Sequence, residues 1–302
     1  MSTLVTGGRG FVGRAIVDQL LAEGEQVVSY NRDFAVDPRD ELTLVQGELF
    51  DIPRLTTTLR EHRIERIIHT AGQSHPGVSI DLPITTFAAN AEGTLSVLES
   101  ARMAEVGRVV NFSSECAVGN ALSDMVDENV TPQPTTVYGV TKVTGELLGS
   151  VYTSLYGVDV VSLRVTEVYG PGLWMPSLLG DMIRAGLAGH TFRLAAGGDH
   201  PFQFVYVEDV ARAALLAAST PTLRQSIYNV SGGQPVTVLG VADRLRTLLP
   251  ESSFDIGPGV LPDWDRTGEF DLTAAQTDLG YRPQWTFEQG LLRQIEWLKE
   301  HP

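Results

Sequence analysis

The sequence predicts an α/β fold, namely a doubly wound parallel sheet with a smaller C-terminal lobe. Three observations predict it. Short β-branched runs alternate with helical stretches over the first 165 residues, a glycine-rich turn follows the first strand, and a looser pattern with glycine and proline begins after Val165. Strands that alternate with helices form parallel sheets covered on both faces, which bind ligands at the carboxyl ends of the strands.

Six β-branched runs are the predicted strands of this sheet. They are residues 3–6, 26–30, 43–46, 66–69, 108–113 and 158–164. The main predicted helices are 11–23, 83–103 and 137–156, and the first of them ends at Gly24. The later chain returns to strand and helix patterns and closes with an amphipathic helix, so we predict that it forms a smaller, discontinuous lobe.

The composition excludes several classes of function. The chain has 302 residues and a formal net charge of −15, which argues against binding to the phosphate backbone of nucleic acids. The one cysteine, Cys116, allows no intrachain disulfide, and no apolar run reaches the roughly 18 residues of a membrane helix. We find no basic leader before the first strand, and we expect a cytoplasmic protein with no nucleic-acid or membrane partner.

Three glycines, Gly7, Gly10 and Gly13, follow the first predicted strand and open the first predicted helix. Glycine permits a tight turn and lets the backbone approach a diphosphate, while the helix N-terminus offers free N–H groups. We therefore predict a Rossmann-type dinucleotide site, to which Phe11 and Val12 of the same turn also contribute. A tight turn without a ligand is the alternative.

The end of the second predicted strand distinguishes the two nicotinamide cofactors. An acid there binds the 2′-hydroxyl of NAD, whereas an arginine accommodates the 2′-phosphate of NADP. Asn31 stands at this position, Arg32 follows it, and Arg9 of the first turn is within reach. The two guanidinium groups favour NADP, while Asp33 keeps NAD open.

The predicted division of the chain follows from these patterns. Residues 1–165, together with about 203–232, form the dinucleotide-binding domain. Residues 166–202 and 233–302 form the smaller substrate-binding lobe.

Tyr138 and Lys142 lie four residues apart on a predicted helix and therefore share a face. A tyrosine can exchange a proton with a hydroxyl or ketone, but its pKa near 10 must be lowered by positive charge. The chain has two lysines, Lys142 and Lys299, against twenty arginines, so a lysine at this spacing favours a catalytic pair. A surface pair with no catalytic role is the alternative.

A serine at the exit of the fifth predicted strand would lie at the carboxyl edge of the sheet. Its hydroxyl can polarise a substrate oxygen beside the tyrosine. Ser113 and Ser114 both qualify on position alone.

Together these residues resemble the extended short-chain dehydrogenase/reductases, the NAD(P)-dependent epimerase/dehydratase family. The resemblance covers nearly the whole chain and includes "TGGRGFVG", "GEL", "HTAG", "NAEGT", "NFSSECAVG", "YGVTK", "LRVTEVYGPG", "FVYVEDVA" and "LGYRP". It implies that Ser114 is the catalytic serine, that Tyr138 is the acid/base and that Lys142 is its partner. The last two would also contact the cofactor.

The resemblance also implies further cofactor contacts. Glu48 and Leu49 would flank the adenine, where the family usually has an aspartate. Ala71 and Gly72 would line the cofactor, and Asn90 would support the backbone of the active site.

Departures from the family pattern concern the substrate. Glu167 replaces an asparagine that approaches the diphosphate of nucleotide sugars, and its charge would repel that group. Phe202 replaces a frequent arginine, and Arg266 is the nearest match to a later phosphate-binding arginine. Glu115 and Cys116 stand where sugar-nucleotide dehydratases have an acidic pair, which argues against elimination.

Three functions follow as hypotheses. The first is an NAD(P)-dependent oxidoreductase that moves a hydride between the nicotinamide and a secondary alcohol or ketone, with a small-molecule substrate other than a typical nucleotide sugar. The second is a nucleotide-sugar epimerase with tightly bound NAD(P), and the third is a non-catalytic dinucleotide sensor or scaffold. Net NAD(P)H consumption, epimerisation without consumption, or binding without activity would distinguish them.

Two expectations concern metals and assembly. The six histidines are scattered without partners at ligand spacing, so we expect no metal site. Relatives in the family often pair through the long helices, here 83–103 and 137–156, so we expect a homodimer.

Overall fold

The computed structural model of the chain describes residues 1–33, 37, 39, 41–262 and 264–301. Its strands are β1 (Ser2–Thr6), β2 (Gln26–Asn31), β3 (Leu42–Gln46), β4 (Arg66–His69), β5 (Arg108–Ser114), β6 (Ala121–Val126), β7 (Asp159–Val165), β8 (Glu167–Tyr169), β9 (Thr191–Leu194), β10 (Pro201–Phe202), β11 (Phe204–Tyr206), β12 (Ile227–Val230), β13 (Val236–Thr237), β14 (Ser253–Ile256) and β15 (Thr267–Phe270).

The α-helices pack around and beyond the central sheet. They are α1 (Phe11–Ala22), α2 (Ile52–Glu61), α3 (Pro76–Asp81), α4 (Pro83–Phe87), α5 (Gly93–Ala104), α6 (Val137–Tyr156), α7 (Leu178–Leu187), α8 (Val207–Ser219), α9 (Val238–Leu248) and α10 (Phe287–Glu300).

Seven parallel strands form the central sheet in the order β12-β7-β5-β4-β1-β2-β3. Successive apolar residues of a strand enter opposite cores because side chains alternate across a sheet. Ile67 belongs to the core beneath α2 and α5, and Ile68 belongs to the core beneath α1 and α8. The predicted parallel sheet with helices on both faces is confirmed.

The strand register brings several polar residues to one edge of the sheet. Thr6 of β1 pairs with His69 of β4, His69 pairs with Asn111 of β5, and Asn111 pairs with Ser162 of β7. Strand β5 continues to Ser114, beside Val165. The carboxyl ends of the central strands therefore meet where the sequence placed the candidate site.

The predicted helix 83–103 has a different internal structure. Helix α4 runs into a π-helical segment, Ala88–Glu92, before α5 begins at Gly93. The wider turn places Asn90 on the inner side of the helix, where it is buried. Periodicity alone predicts a regular helix, since the extra residue of a π turn is set by tertiary contacts.

The C-terminal lobe is built around its own apolar core. Its core contains residues of α7, α9, α10, β10 and β11, and its two-stranded sheets join β9 with β14 and β10 with β13. Strand β12 of the later chain lies in the central sheet, and β15 pairs with β6 of the earlier chain. The predicted lobe boundaries stay a prediction. None of the helices within the described residues is long and apolar enough to cross a membrane.

Candidate active site

The glycine-rich turn between β1 and α1 has the shape of a diphosphate cradle. Gly7 has a φ of +68°, and a Cβ atom there would lie 2.9 Å from the Cα of Ala71. Gly10 caps α1 without a side chain, so no capping group occupies the first amides of the helix. Backbone N–H groups at a helix N-terminus suit a diphosphate, and this turn therefore fits a dinucleotide.

The other turn residues have different roles. A Cβ on Gly13 would overlap the carbonyl oxygen of Gly7, so Gly13 is needed for close packing of helix and strand. Val12 packs against the core, which leaves its backbone to approach a ligand, while Phe11 is partly exposed at the helix start.

Asn31 links the end of β2 to the glycine turn. Its Oδ1 accepts a hydrogen bond from the backbone N–H of Arg9 at 3.1 Å, and its Nδ2 donates to Ser29 Oγ at 2.9 Å. Arg9, Asn31 and Asp33 line a cleft of about 720 Å³ that continues along β3 and α2. Arg32 is exposed, and its carbonyl oxygen accepts a hydrogen bond from Gln46.

The residues predicted to flank the adenine and those predicted to line the cofactor lie on two loops of the same edge. Tyr30 donates a hydrogen bond to the carbonyl oxygen of Glu48 at 3.1 Å, and Leu49 packs beneath α5. The loop with Ala71 and Gly72 follows β4, and Asn90 fastens it. Asn90 Oδ1 accepts a hydrogen bond from the backbone N–H of Gln73 at 2.7 Å, and Asn90 Nδ2 donates one to the carbonyl oxygen of Gln73 at 2.9 Å.

The structure brings Tyr138 and Lys142 to the carboxyl end of β5. Thr136 caps α6 by accepting a hydrogen bond from the N–H of Gly139, so the helix starts just before Tyr138. Lys142 Nζ lies 5.4 Å from the centroid of the Tyr138 ring and donates to the carbonyl oxygen of Phe112 at 2.7 Å. The two side chains therefore share one face of α6, as their spacing predicts.

The structure separates the two candidate serines. Ser113 Oγ donates to a carboxylate oxygen of Glu146 at 2.6 Å, on the side away from the site. Ser114 caps the turn after β5 by accepting the N–H of Cys116, and its hydroxyl faces the phenol of Tyr138. The geometry thus favours Ser114 over Ser113 as the group that meets a substrate oxygen.

Burial controls the charges of this cluster. Burial raises the pKa of Tyr138 above its ordinary value of 10, while the neighbouring Ser114 hydroxyl opposes that rise. Burial also lowers the pKa of Lys142 to about 8. Tyr138 is therefore a neutral phenol in the ligand-free protein, and an added positive charge is needed to make it a base.

His69 of β4 lines the same small cavity as Lys142, and it is not one of the site residues that the sequence predicts. Its ring is hydrogen-bonded with Thr6 at 2.7 Å and Thr94 at 3.2 Å, and burial together with Lys142 lowers its pKa to about 3. A cavity of about 10 Å³ between His69, Asn111 and Lys142 has room for one water molecule. The motif "HTAG" at the end of β4 was the available sequence signal.

Three carboxyl groups, Glu115, Glu167 and Asp265, surround Cys116, and the first two of them also lie near Tyr138. Burial raises the pKa of Glu167 to about 7, and burial, Glu167 and Asp265 together raise that of Glu115. Burial also raises the pKa of Cys116 above its usual range, so its thiol stays protonated. Sequence spacing could not find this cluster, because its members come from distant segments.

The other predicted substrate residues lie in different surroundings. Phe202 is 7% exposed and packs between Phe204 and Trp264, so the ring is part of the lobe core and offers little surface to a substrate. Arg266 is exposed, and its charge contributes to the lowered pKa of His200. Within the described ranges, no group of three His, Cys, Asp or Glu side chains is arranged to hold a metal ion.

A family model described as the NAD dependent epimerase/dehydratase family matches residues 3–231. The chain belongs to this family. It is an enzyme of the extended short-chain dehydrogenase/reductase type, with the Rossmann-like fold that the sequence predicts.

Members of this family match the chain from end to end. The UDP-glucose 4-epimerase of Mycolicibacterium smegmatis is 29% identical over 319 residues, which cover 99% of each chain. The dTDP-glucose 4,6-dehydratase of Streptomyces niveus is 27% identical and covers 100% of this chain and 94% of its own. The structure of MoeE5 in complex with UDP-glucuronic acid and NAD has a TM-score of 0.90 at 28% identity and covers 100% of both chains.

Proposed function

We propose that the protein is a nucleotide-sugar epimerase that keeps NAD bound throughout turnover. The observation that carries this proposal is the arrangement of Ser114, Tyr138 and Lys142, followed by a protonated thiol at Cys116. The family resemblance implies an acidic pair after the catalytic serine in dehydratases, and this chain has a thiol at the second of those positions. The relatives favour a nucleotide sugar over the other substrates expected from the sequence.

In this proposal each residue acts on one hydroxyl of the sugar. Ser114 donates a hydrogen bond to that oxygen, and Tyr138 accepts its proton as the adjacent C–H bond breaks. The ammonium group of Lys142, together with the positive charge of bound NAD, would stabilise the phenolate that Tyr138 needs for this step. Held by the glycine turn, NAD would supply a reversible hydride acceptor for that carbon.

Epimerisation would require the oxidised sugar to present its other face to the cofactor while its oxygen stays within reach of Tyr138. Tyr138 then gives its proton back to the oxygen, and Ser114 again holds that oxygen. Over one turnover the sugar loses and regains one hydride and one proton, so neither the cofactor nor the protein undergoes a net change of redox state.

Glu167 is compatible with a bound diphosphate, although a glutamate at this position is expected to be negatively charged. A group with a pKa of about 7 is half protonated at neutral pH, so it can donate a hydrogen bond to an anion or a sugar hydroxyl. The repulsion expected from the sequence is weakened by burial of the carboxyl group.

The experiment mixes the protein, without added cofactor, with UDP-glucose, UDP-galactose or UDP-glucuronate and follows the sugars by NMR. We expect one 4-epimer pair to interconvert without accumulation of NADH. Stoichiometric NADH would indicate a dehydrogenase, and a 4-keto-6-deoxy product would indicate a dehydratase; either result contradicts the proposal. The two lysines provide a matched pair, since Lys142→Ala should abolish turnover and Lys299→Ala should preserve it.

NAD rather than NADP is the proposed cofactor. Asp33 lines the same cleft as Arg9 and Asn31, and its carboxylate would repel a 2′-phosphate. The solved relative MoeE5 is described in complex with NAD. The NADP preference expected from Arg9 and Arg32 has no support in the relatives. Titrations of the wild-type protein should give a lower Kd for NAD than for NADP, and the opposite order would refute this choice. The variant Asp33→Asn should bind NADP more tightly than the wild type does.

A homodimer through α4, α5 and α6 is part of the proposal. Large apolar side chains are exposed on these helices, and a second copy would cover them. They are Ile84, Phe87, Leu95, Met103, Leu147, Val151, Leu155 and Tyr156. Light scattering should give a dimer mass that Leu155→Glu halves and that Leu292→Glu, on the exposed face of α10, does not change. A monomeric wild type would refute the dimer. The cytoplasmic location stays a prediction.

A further inference from the structure

A buried charged triad lies between α6 and the central sheet, one helical turn beyond Lys142. Arg164 of β7 donates to both carboxylate oxygens of Glu146, each at 2.8 Å, and Ser113 donates to the same carboxylate at 2.6 Å. Arg164 is 1% exposed and Glu146 is 6% exposed. We name Ser113, Glu146 and Arg164 the Glu146 triad.

The Glu146 triad joins three elements of the site. Ser113 and Arg164 are register partners on β5 and β7, and Glu146 reaches both of them from α6. Along α6, Tyr138, Lys142 and Glu146 are spaced one turn apart on one face. The same carboxylate therefore contacts the strand residue before Ser114 and lies one turn from Lys142.

A buried ion pair is a weak stabiliser, because the loss of hydration offsets much of its attraction. Well-packed apolar residues would hold a helix on a sheet equally well. The helix already approaches closely through glycine, since a Cβ on Gly145 would lie 3.2 Å from Asn111 Nδ2. The charges of the triad therefore need an explanation other than stability.

The groups that face Lys142 come from three elements. From β4, His69 is neutral at physiological pH because its pKa is about 3; from the turn after β5, Cys116 is a protonated thiol. From α6 itself come the neutral phenol of Tyr138 and the Glu146 carboxylate, which favours the charged form of Lys142. Cys116 and Glu146 both oppose the lowering of the Lys142 pKa; of the two, Cys116 is a protonated thiol and Glu146 is a carboxylate paired with Arg164.

We propose that the Glu146 triad is a positioning device, which fixes α6 on β5 and β7 and keeps the ammonium group of Lys142 charged beside the phenol. Glu146 and Arg164 act through Lys142 and Tyr138 and do not touch the substrate. The inference rests on the proposed function only for the role of Lys142 in turnover.

The molecule contains a matched control at the opposite edge of the sheet. Arg66 of β4 is paired with Glu25, and its Nε donates to Thr3 Oγ1 at 2.8 Å. Thr3, Glu25 and Arg66 thus form a second, largely buried triad of a hydroxyl, a carboxylate and a guanidinium group. It lies at the amino ends of the strands, away from α6.

The test measures the charge on Lys142 directly. Protein labelled with 13Cε-lysine carries two labelled lysines, Lys142 and Lys299, so each pKa can be followed by NMR without any substrate. The double variant Glu146→Gln/Arg164→Met removes both charges together, which avoids an unpaired buried arginine. We expect the pKa of Lys142 to fall by about 1 unit and that of Lys299 to stay constant.

The control variant Glu25→Gln/Arg66→Met should leave both lysine pKa values unchanged. An unchanged Lys142 pKa in the folded Glu146→Gln/Arg164→Met protein would overturn the proposal. Because no substrate is added, this result is independent of whether the epimerase assay succeeds.

A second variant, Ser113→Ala, tests positioning while both charges remain. We expect kcat to fall by about tenfold with KM nearly unchanged, because α6 loses its hydroxyl link to β5. Thr3→Ala should change neither constant. A normal kcat in Ser113→Ala would overturn the positioning role even if the double variant does not fold.

Discussion

Replacing Tyr138 with phenylalanine separates catalysis from binding and folding. The substitution removes one hydroxyl and keeps the ring, which lies 5.4 Å from Lys142 Nζ. Proton transfer by a positioned side chain contributes about 10²–10⁴-fold to a rate. We therefore expect turnover to fall by at least about 100-fold.

The same structure limits the other effects of Tyr138→Phe. The phenol lies beside the Ser114 hydroxyl, and a buried hydrogen bond between two such groups contributes about 0.5–1.5 kcal/mol net. We expect the free energy of unfolding to change by about 1 kcal/mol. Loss of one contact to the cofactor should weaken NAD binding by no more than about tenfold, or about 1.4 kcal/mol.

The assays are initial rates of epimerisation, urea denaturation and titration with NAD. Tyr152→Phe is the matched control, because Tyr152 is also buried on α6 and donates its hydroxyl to Glu99 at 3.1 Å, far from Lys142. The control should lose similar stability and keep its turnover. Turnover of Tyr138→Phe within tenfold of wild type would refute the assignment of Tyr138.

Three further predictions concern stability. Lys142→Met should raise the free energy of unfolding by about 1–3 kcal/mol at pH 7, because the fold holds the Lys142 pKa near 8 and disfavours the charged form. This gain should shrink between pH 8 and 10.5, and urea denaturation at several pH values measures it. His69 stays neutral in the fold down to about pH 3, so its contribution to stability should be lost as the pH falls from 6.5 toward 3, and a His69→Gln variant should show a shallower acid dependence. Gly13→Ala should destabilise the protein by about 1–3 kcal/mol, because the new Cβ overlaps the carbonyl oxygen of Gly7. Gly10→Ala should destabilise it less, because its Cβ would lie 3.2 Å from the same oxygen. Equal urea midpoints of the two variants would contradict this prediction.

Much of the site was predictable because its signals are local. The Tyr138–Lys142 pair depends only on the helical repeat, and the glycine turn depends only on the contact of one strand with the next helix. Both were recognised from spacing, and the structure places them together at the carboxyl edge of the sheet.

Other features could not be predicted because they depend on contacts between distant segments. The π turn around Asn90 satisfies the loop after β4, which lies seventeen residues earlier. The family resemblance implies Ser114, but position alone leaves Ser113 and Ser114 open, since neighbouring residues on a strand end point to opposite sides. In the structure the Ser113 hydroxyl is bonded to Glu146, thirty-three residues further along the chain.

The sequence by itself determined the α/β class, the order of the central strands along the chain, the dinucleotide turn and the tyrosine–lysine pair. These follow from side-chain periodicity and backbone freedom, which act within a few residues. Only the tertiary structure decided the protonation of Glu167, the buried place of Phe202 and the grouping of Glu146 with Arg164. Such properties arise from desolvation and from charges on other elements, and neither is encoded at any one position.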